Sequence, residues 1–129
     1  MIRRLVLCLV AIMLFLSGCS GTAPATAVLQ GKVIIGPLTP VERPGVTPTV
    51  PPEVYAARKV MVYDTDGKNL VRQVDIDSTG HYRVQLEPGT YSVDINHAGI
   101  DRSRDVPKKV EIKPGEIVQL DIDIDTGIR

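Results

Sequence analysis

Residues 77–93 read DSTGHYRVQLEPGTYSV, and this stretch decides the fold. Asp77, Ser78, Thr79 and Gly80 have turn chemistry, with a glycine where φ is restricted. Tyr82, Val84 and Leu86 then alternate with Arg83 and Gln85, the period of two that puts one set on a buried face and the other in water. Glu87, Pro88 and Gly89 turn the chain again, and Tyr91, Val93 and Ile95 alternate with Ser92, Asp94 and Asn96. The pattern predicts two short strands, each introduced by a turn.

The same grammar extends in both directions. Residues 29–35 predict a first strand, mostly apolar and expected to be covered on both sides. Residues 60–63 and 70–76 flank the turn Asp64, Thr65, Asp66, Gly67 and predict a hairpin. Downstream, Val110 and Ile112 alternate with Lys109, Glu111 and Lys113; after the turn at 113–116, Val118, Leu120, Ile122 and Ile124 alternate with Gln119, Asp121, Asp123 and Asp125. No segment shows sustained helical periodicity. Short strands between turns predict an all-β domain, a seven-stranded antiparallel two-sheet sandwich. Its core is expected to be Val, Ile and Leu with four tyrosines at most.

One stretch departs from this pattern. Between Gly36 and Pro52 stand Pro37, Pro40, Pro44, Pro48, Pro51 and Pro52, whose fixed φ and missing N–H exclude a helix or a central strand there. Residues 36–58 therefore predict a long, stiff excursion that crosses between the sheets. Its alternative role is a partner-binding loop carrying Pro37, Pro40, Glu42, Arg43, Pro44 and Tyr55.

The first eighteen residues are an address. Arg3 and Arg4 precede an apolar run from Leu5 to Leu16, too short at about 18 Å to span a bilayer core of roughly 30 Å, so the run predicts a removed signal peptide. Leu16, Ser17, Gly18 and Cys19 resemble a bacterial lipobox, whose cysteine is acylated and becomes the mature N-terminus. Residues 19–27 are then a lipidated cysteine and a flexible tether, and residues 28–129 the sandwich. Stable anchoring requires more than one acyl chain on Cys19. The expected location is the bacterial cell membrane or outer membrane, reached by export.

Composition narrows the remaining choices. The chain has 129 residues with 15 basic and 15 acidic side chains, and loss of residues 1–18 takes two arginines and no acid. No basic face for nucleic acid is indicated, and membrane contact is expected from the lipid alone. Of the two cysteines, Cys8 lies in the removed segment, so no disulfide is expected within the mature chain.

The turn and strand at 77–82, with the L-x-P-G-x-Y-x-V run at 86–93, resemble the corresponding motifs of carboxypeptidase regulatory-like domains. Gly31, Lys32 and Val33 fit that family's opening strand, and residues 64–67 its next hairpin. The resemblance implies a prealbumin-like sandwich and a non-catalytic accessory module. Hydroxyisourate hydrolases share the architecture but end in a Tyr-Arg-Gly-Ser motif, from which residues 125–129 depart.

Candidate chemistry is sparse. Asp121, Asp123 and Asp125 project from one strand face about 7 Å apart. They read first as a charged edge that resists aggregation, and alternatively as a Ca2+ site completed by Asp75 and Asp77 if those strands are neighbours. His81 and His97 are expected at the surface, and 101–105 (DRSRD) as a solvated mixed-charge loop. Lys32 and the last-strand acids face outward by parity, which argues against an isopeptide bond between them. No cofactor other than the covalent lipid is expected. The leading expectation is a cell-envelope lipoprotein presenting a non-catalytic sandwich to bind an envelope protein or to serve a structural role. The alternatives are a carbohydrate-binding module, which would need exposed tyrosines, and a hydrolase.

Overall fold

The computed structural model describes residue 21, residues 25–41 and residues 43–129; the signal segment 1–18, Cys19 and Glu42 lie outside the described residues. In chain order the elements are β1 (Ala27–Gly36), α1 (Pro52–Ala56), β2 (Lys59–Tyr63), β3 (Leu70–Asp75), β4 (His81–Leu86), β5 (Gly89–Ile95), β6 (Lys108–Ile112), β7 (Ile117–Gln119) and β8 (Ile122–Asp125). One sheet runs β4-β1-β7 with β8 also on β1, and the other runs β3-β2-β5-β6. The alternation did its work: Leu29, Val33, Ile35, Val60, Val62, Val93, Ile95, Ile122 and Ile124 all point into one core between the sheets.

Three expectations need correction. The sandwich is not wholly antiparallel, because β7 and β8 both run parallel to β1. β6 has brought the chain back to the end where β1 begins, so the next strand must travel in the same direction as β1. β1 is not covered on both sides: Ile34 is 55% exposed opposite Asp123, on an outer face over which no layer lies among the described residues. The last strand is divided in two, although β7 and β8 keep one register, Val28 opposite Ile117 and Val33 opposite Ile122.

The cause of that division is local. At the break, the Leu120 N–H donates to the Gln30 carbonyl (2.9 Å), while the Lys32 N–H donates to the Asp121 side chain (2.8 Å). The Leu120 carbonyl is thereby released from the ladder and approaches Gly31, where a Cβ would sit only 1.8 Å from its oxygen. Buried Tyr82 donates its hydroxyl to the same oxygen at 2.6 Å. A buried carbonyl taken out of a ladder needs such a donor.

The turn before Tyr82 is just as specific. One oxygen of Asp77 accepts from the Thr79 N–H (2.9 Å), the Thr79 hydroxyl (2.6 Å) and the His81 N–H (2.9 Å). The Thr79 hydroxyl, then the His81 N–H, hold the Asp77 carboxyl below its ordinary range. Gly80 has φ of +86°, and a Cβ there would fall 2.9 Å from both the Tyr55 hydroxyl and the Val33 carbonyl. Tyr91 closes the following turn, where the chain passes from one sheet to the other, by donating to the Glu87 carbonyl (2.6 Å).

Strand directions sort the connections into two ends. Turns 64–69, 87–88 and 113–116 gather where β1 begins. Loops 37–58, 76–80 and 96–107 and residues 126–129 gather where β1 ends.

Gly31→Ala should cost about 3 kcal/mol or more in urea unfolding, because backbone must move to admit the methyl. Gly36→Ala, with nothing within 4 Å of its Cβ, should leave stability within about 0.5 kcal/mol. Burial first, and the Asp121 charge second, push the Tyr82 hydroxyl far above its ordinary value of 10.0. Above pH 10 the unfolded chain sheds a proton that folded Tyr82 keeps, so this contribution to stability is complete below pH 10 and declines above it. Tyr82→Phe should cost about 1 kcal/mol at neutral pH and flatten the alkaline decline, as measured by urea unfolding at a series of pH values.

Candidate functional site

The far end of the sandwich holds the longest connections, and it is built around a buried ion pair. Arg58, just after α1, donates Nε to Asp101 Oδ2 (2.7 Å) and Nη2 to Asp101 Oδ1 (3.1 Å). Its Nη1 donates to the Val54 carbonyl (2.9 Å), satisfying an acceptor at the end of the helix. Asn96 binds the same junction, accepting from the Lys59 N–H and donating to the Ala57 carbonyl. At the other side of this end, the Thr126 hydroxyl donates to the Pro37 carbonyl. Loops 37–58 and 96–107 and the chain after β8 are thus bonded to one another and to the sandwich.

The Pro-rich excursion divides into anchors and a tip. Leu38, Val50, Val54 and Tyr55 pack on the core, whereas Thr39, Pro40, Val41 and residues 43–49 are exposed. Val41 is 78% exposed and Val46 61%. Of the residues assigned to a partner-binding loop, Pro40, Arg43 and Pro44 lie on the tip and Pro37 at its half-buried base. Tyr55 is a correction: it is buried, its hydroxyl against the Gly80 turn, and it anchors the excursion. The helix is a second correction, since Pro52 begins α1 at a position where the fixed φ fits and no N–H is required.

A charged cleft of about 750 Å3 opens between Pro37, residues 102–105, β8 and Arg129. Arg129 forks onto Asp125 (2.8 and 3.2 Å) and, with the Gly127 N–H, lowers that carboxyl to about 2. Asp105 accepts from the Asp123 N–H (2.8 Å), and the Arg102 and Asp125 backbones exchange bonds. The loop at 101–105 therefore caps the open edge of β8. Asp101 is buried, which corrects the expectation of a wholly solvated loop.

The aspartate row does not converge. Asp121 accepts from the Lys32 N–H and the Gln119 amide, and Asp125 is held by Arg129. Asp75 belongs to the other sheet and pairs with Lys59, so β3 is not the neighbour of β8 that a shared Ca2+ site requires. Among the described residues no group of three His, Cys, Asp or Glu side chains is placed to hold a metal ion.

A second hollow, about 430 Å3, lies beside His81 between the outer face of the β1 sheet and Asp75 and Asp77 at the end of β3. Polar side chains cross that face as a chain: Arg83 donates to Gln30 (3.0 Å), Gln30 to Gln119 (3.5 Å), and Gln119 to Asp121 (2.8 Å). His81 Nδ1 lies 2.9 Å from the Thr79 hydroxyl, whose proton is committed to Asp77. With its proton given to Asp77, the Thr79 hydroxyl is not activated by this ring. His97 meets Asp94 at 3.0 Å on the open surface, outside both hollows. Tyr55 and Tyr82 are buried and Tyr91 packs on the core; Tyr63 alone is left half-buried outside it. Lys32 is exposed, with Ile122 and Ile124 lining the core opposite its strand.

No protein-family model matches the chain. No curated protein matches it either. Among solved structures it is similar to GBS52, the minor pilin of the gram-positive pathogen Streptococcus agalactiae: 18% identity and TM-score 0.54 over 78% of this chain and 44% of that one. It is also similar to the Bacillus anthracis TIE protein, with 18% identity and TM-score 0.50 over 78% of this chain and 16% of that one. A DUF3823 family protein from Bacteroides ovatus shows 18% identity and TM-score 0.47 over 75% of this chain and 44% of that one. The chain spans less than half the length of these structures. What it shares with the first two is the fold, a two-sheet β-sandwich.

The Arg58–Asp101 pair had no local signal, because its members stand 43 residues apart. Asp101→Ala should cost about 2–3 kcal/mol by taking both carboxylate bonds from a partly buried guanidinium. The double variant Arg58→Met, Asp101→Leu should recover much of that loss in urea unfolding.

Proposed function

We propose that the protein is a bacterial cell-envelope lipoprotein presenting a non-catalytic β-sandwich for binding or structural purposes. The observation that carries this reading is Leu16, Ser17, Gly18 and Cys19 at the end of a basic-then-apolar leader, a few residues before β1. The fold likeness to a minor pilin supports a structural or binding role at the cell surface. The Thr79 hydroxyl beside His81 gives its proton to Asp77, and His97 meets Asp94 rather than a hydroxyl or thiol, which supports the non-catalytic reading over a hydrolase. A glycan-binding module loses support because Tyr55, Tyr82 and Tyr91 are buried or packed on the core, which leaves Tyr63 without a partner tyrosine on the exterior. The tip at 39–49 and the charged cleft are the surfaces this reading offers to an envelope partner.

The wild-type chain, expressed in a bacterial host, should fractionate with membranes and incorporate labelled palmitate. Cys19→Ala should abolish the label and release the domain from the membrane. Persistence of label in Cys19→Ala would overturn Cys19 as the lipid site, and a soluble, unlabelled wild-type chain would overturn the lipoprotein reading itself.

A further inference from the structure

The tether and the sandwich have lengths that can be compared. The Ala25 carbonyl accepts from the Gly115 N–H at 3.4 Å, so the chain is already joined to the 113–116 turn at that point. From Cys19 to Ala25 the backbone reaches at most about 21 Å fully extended. β1 has 10 residues and is about 33 Å long, and it separates the two ends of the domain. A lipid on Cys19 therefore cannot be drawn alongside the far-end loops. Those loops can approach a membrane only if the whole domain lies on its side.

The sides offer little to hold it there. The outer face of the β1 sheet carries Gln30, Lys32, Arg83, Gln119 and Asp121, and that of the other sheet Lys59, Asp75, Lys109 and Glu111. Both faces mix charges of either sign without a basic excess that would bind headgroups; Ile34 stands exposed opposite Asp123 on the first, and Met61 and Tyr63 are half-buried on the second. The end where β1 begins is different: Leu70 and Ile117, 49% and 61% exposed, flank its three turns.

We propose that the lipidated domain stands end-on, with turns 64–69, 87–88 and 113–116 facing the lipid headgroup layer. Loops 37–58 and 96–107 are then held outward at the opposite end. The partner of the near end is the bilayer surface, and the tether imposes the contact. This rests on the reading of Cys19 as lipid-bearing. It turns the exposed Val41, Val46 and Ile100, with Arg43, Arg102 and Arg104, toward whatever approaches from outside the membrane.

The test uses the native lipidated protein, purified from membranes and returned to phosphatidylethanolamine and phosphatidylglycerol vesicles carrying a headgroup nitroxide. With Cys8 removed and Cys19 acylated, an introduced cysteine is the one free thiol for a fluorophore. Lys68→Cys and Lys113→Cys report the near end, and Val46→Cys and Arg104→Cys the far end; all four positions are exposed, and circular dichroism checks their folding. Quenching at 68 and 113 should exceed that at 46 and 104 several-fold and persist at high salt. Equal quenching at both ends, or stronger quenching at the far end, would overturn the end-on arrangement while leaving the lipid in place. Failure of the unlabelled wild-type protein to float with the vesicles would instead overturn the lipid reading, and this arrangement with it.

Discussion

The fold depends on one close approach, that of the Leu120 carbonyl to Gly31 under the Tyr82 hydroxyl. It is possible only because position 31 has no side chain, and tolerable only because a buried donor receives the oxygen. The consequences spread along the last strand. With that carbonyl turned inward, the Asp121 side chain takes over the Lys32 N–H, and the ladder resumes beyond it in the same register. β1 is thus held by β4 on one side and by a kinked strand on the other. The Asp77 turn and Gly80 deliver Tyr82 to its place, so the conspicuous turn in the sequence supports the least conspicuous contact in the core.

The two ends of the sandwich are unlike. The end where β1 begins has three tight turns, closed largely by their own backbone and side-chain bonds. Asp64, for instance, accepts from Asn69, whose side chain leads the groups holding its carboxyl below the ordinary range. The other end carries long connections that could not order themselves. Arg58 and Asp101 supply what the loops lack, a buried bidentate bond between two segments distant in sequence. Such a pair contributes little net stability against an apolar alternative, but it strongly disfavours arrangements that separate its members.

Much of this was legible residue by residue. Alternation predicted the inward sets of β4, β5, β6 and the last strand, and turn residues marked the β2–β3 hairpin and the tight turns that pass between the sheets. The Asp77-x-x-Gly80-x-Tyr82 spacing marked a turn whose capping and packing the structure explains. The candidate surface was legible less evenly. Exposure of Arg43 and Pro44 follows from prolines that can join neither sheet nor helix interior. Tyr55 was misplaced because a helix of five residues carries no detectable period, so its burial had no signature. Asp101 was misplaced because a carboxylate among arginines looks the same in sequence whether solvated or buried.

The sequence by itself determined which side chains face the core, where the chain turns, and the lipobox-like leader ahead of the domain. Those are properties of neighbours along the chain, governed by the strand period and by the φ limits of glycine and proline. Tertiary structure alone decided that β8 runs parallel to β1, that Asp75 is in the other sheet from the aspartate row, and that Arg58 meets Asp101. Each of these joins residues far apart in sequence, and no local rule of period or turn chemistry carries that distance. The choice is made when two sheets close on one core and the buried polar groups must find partners within it.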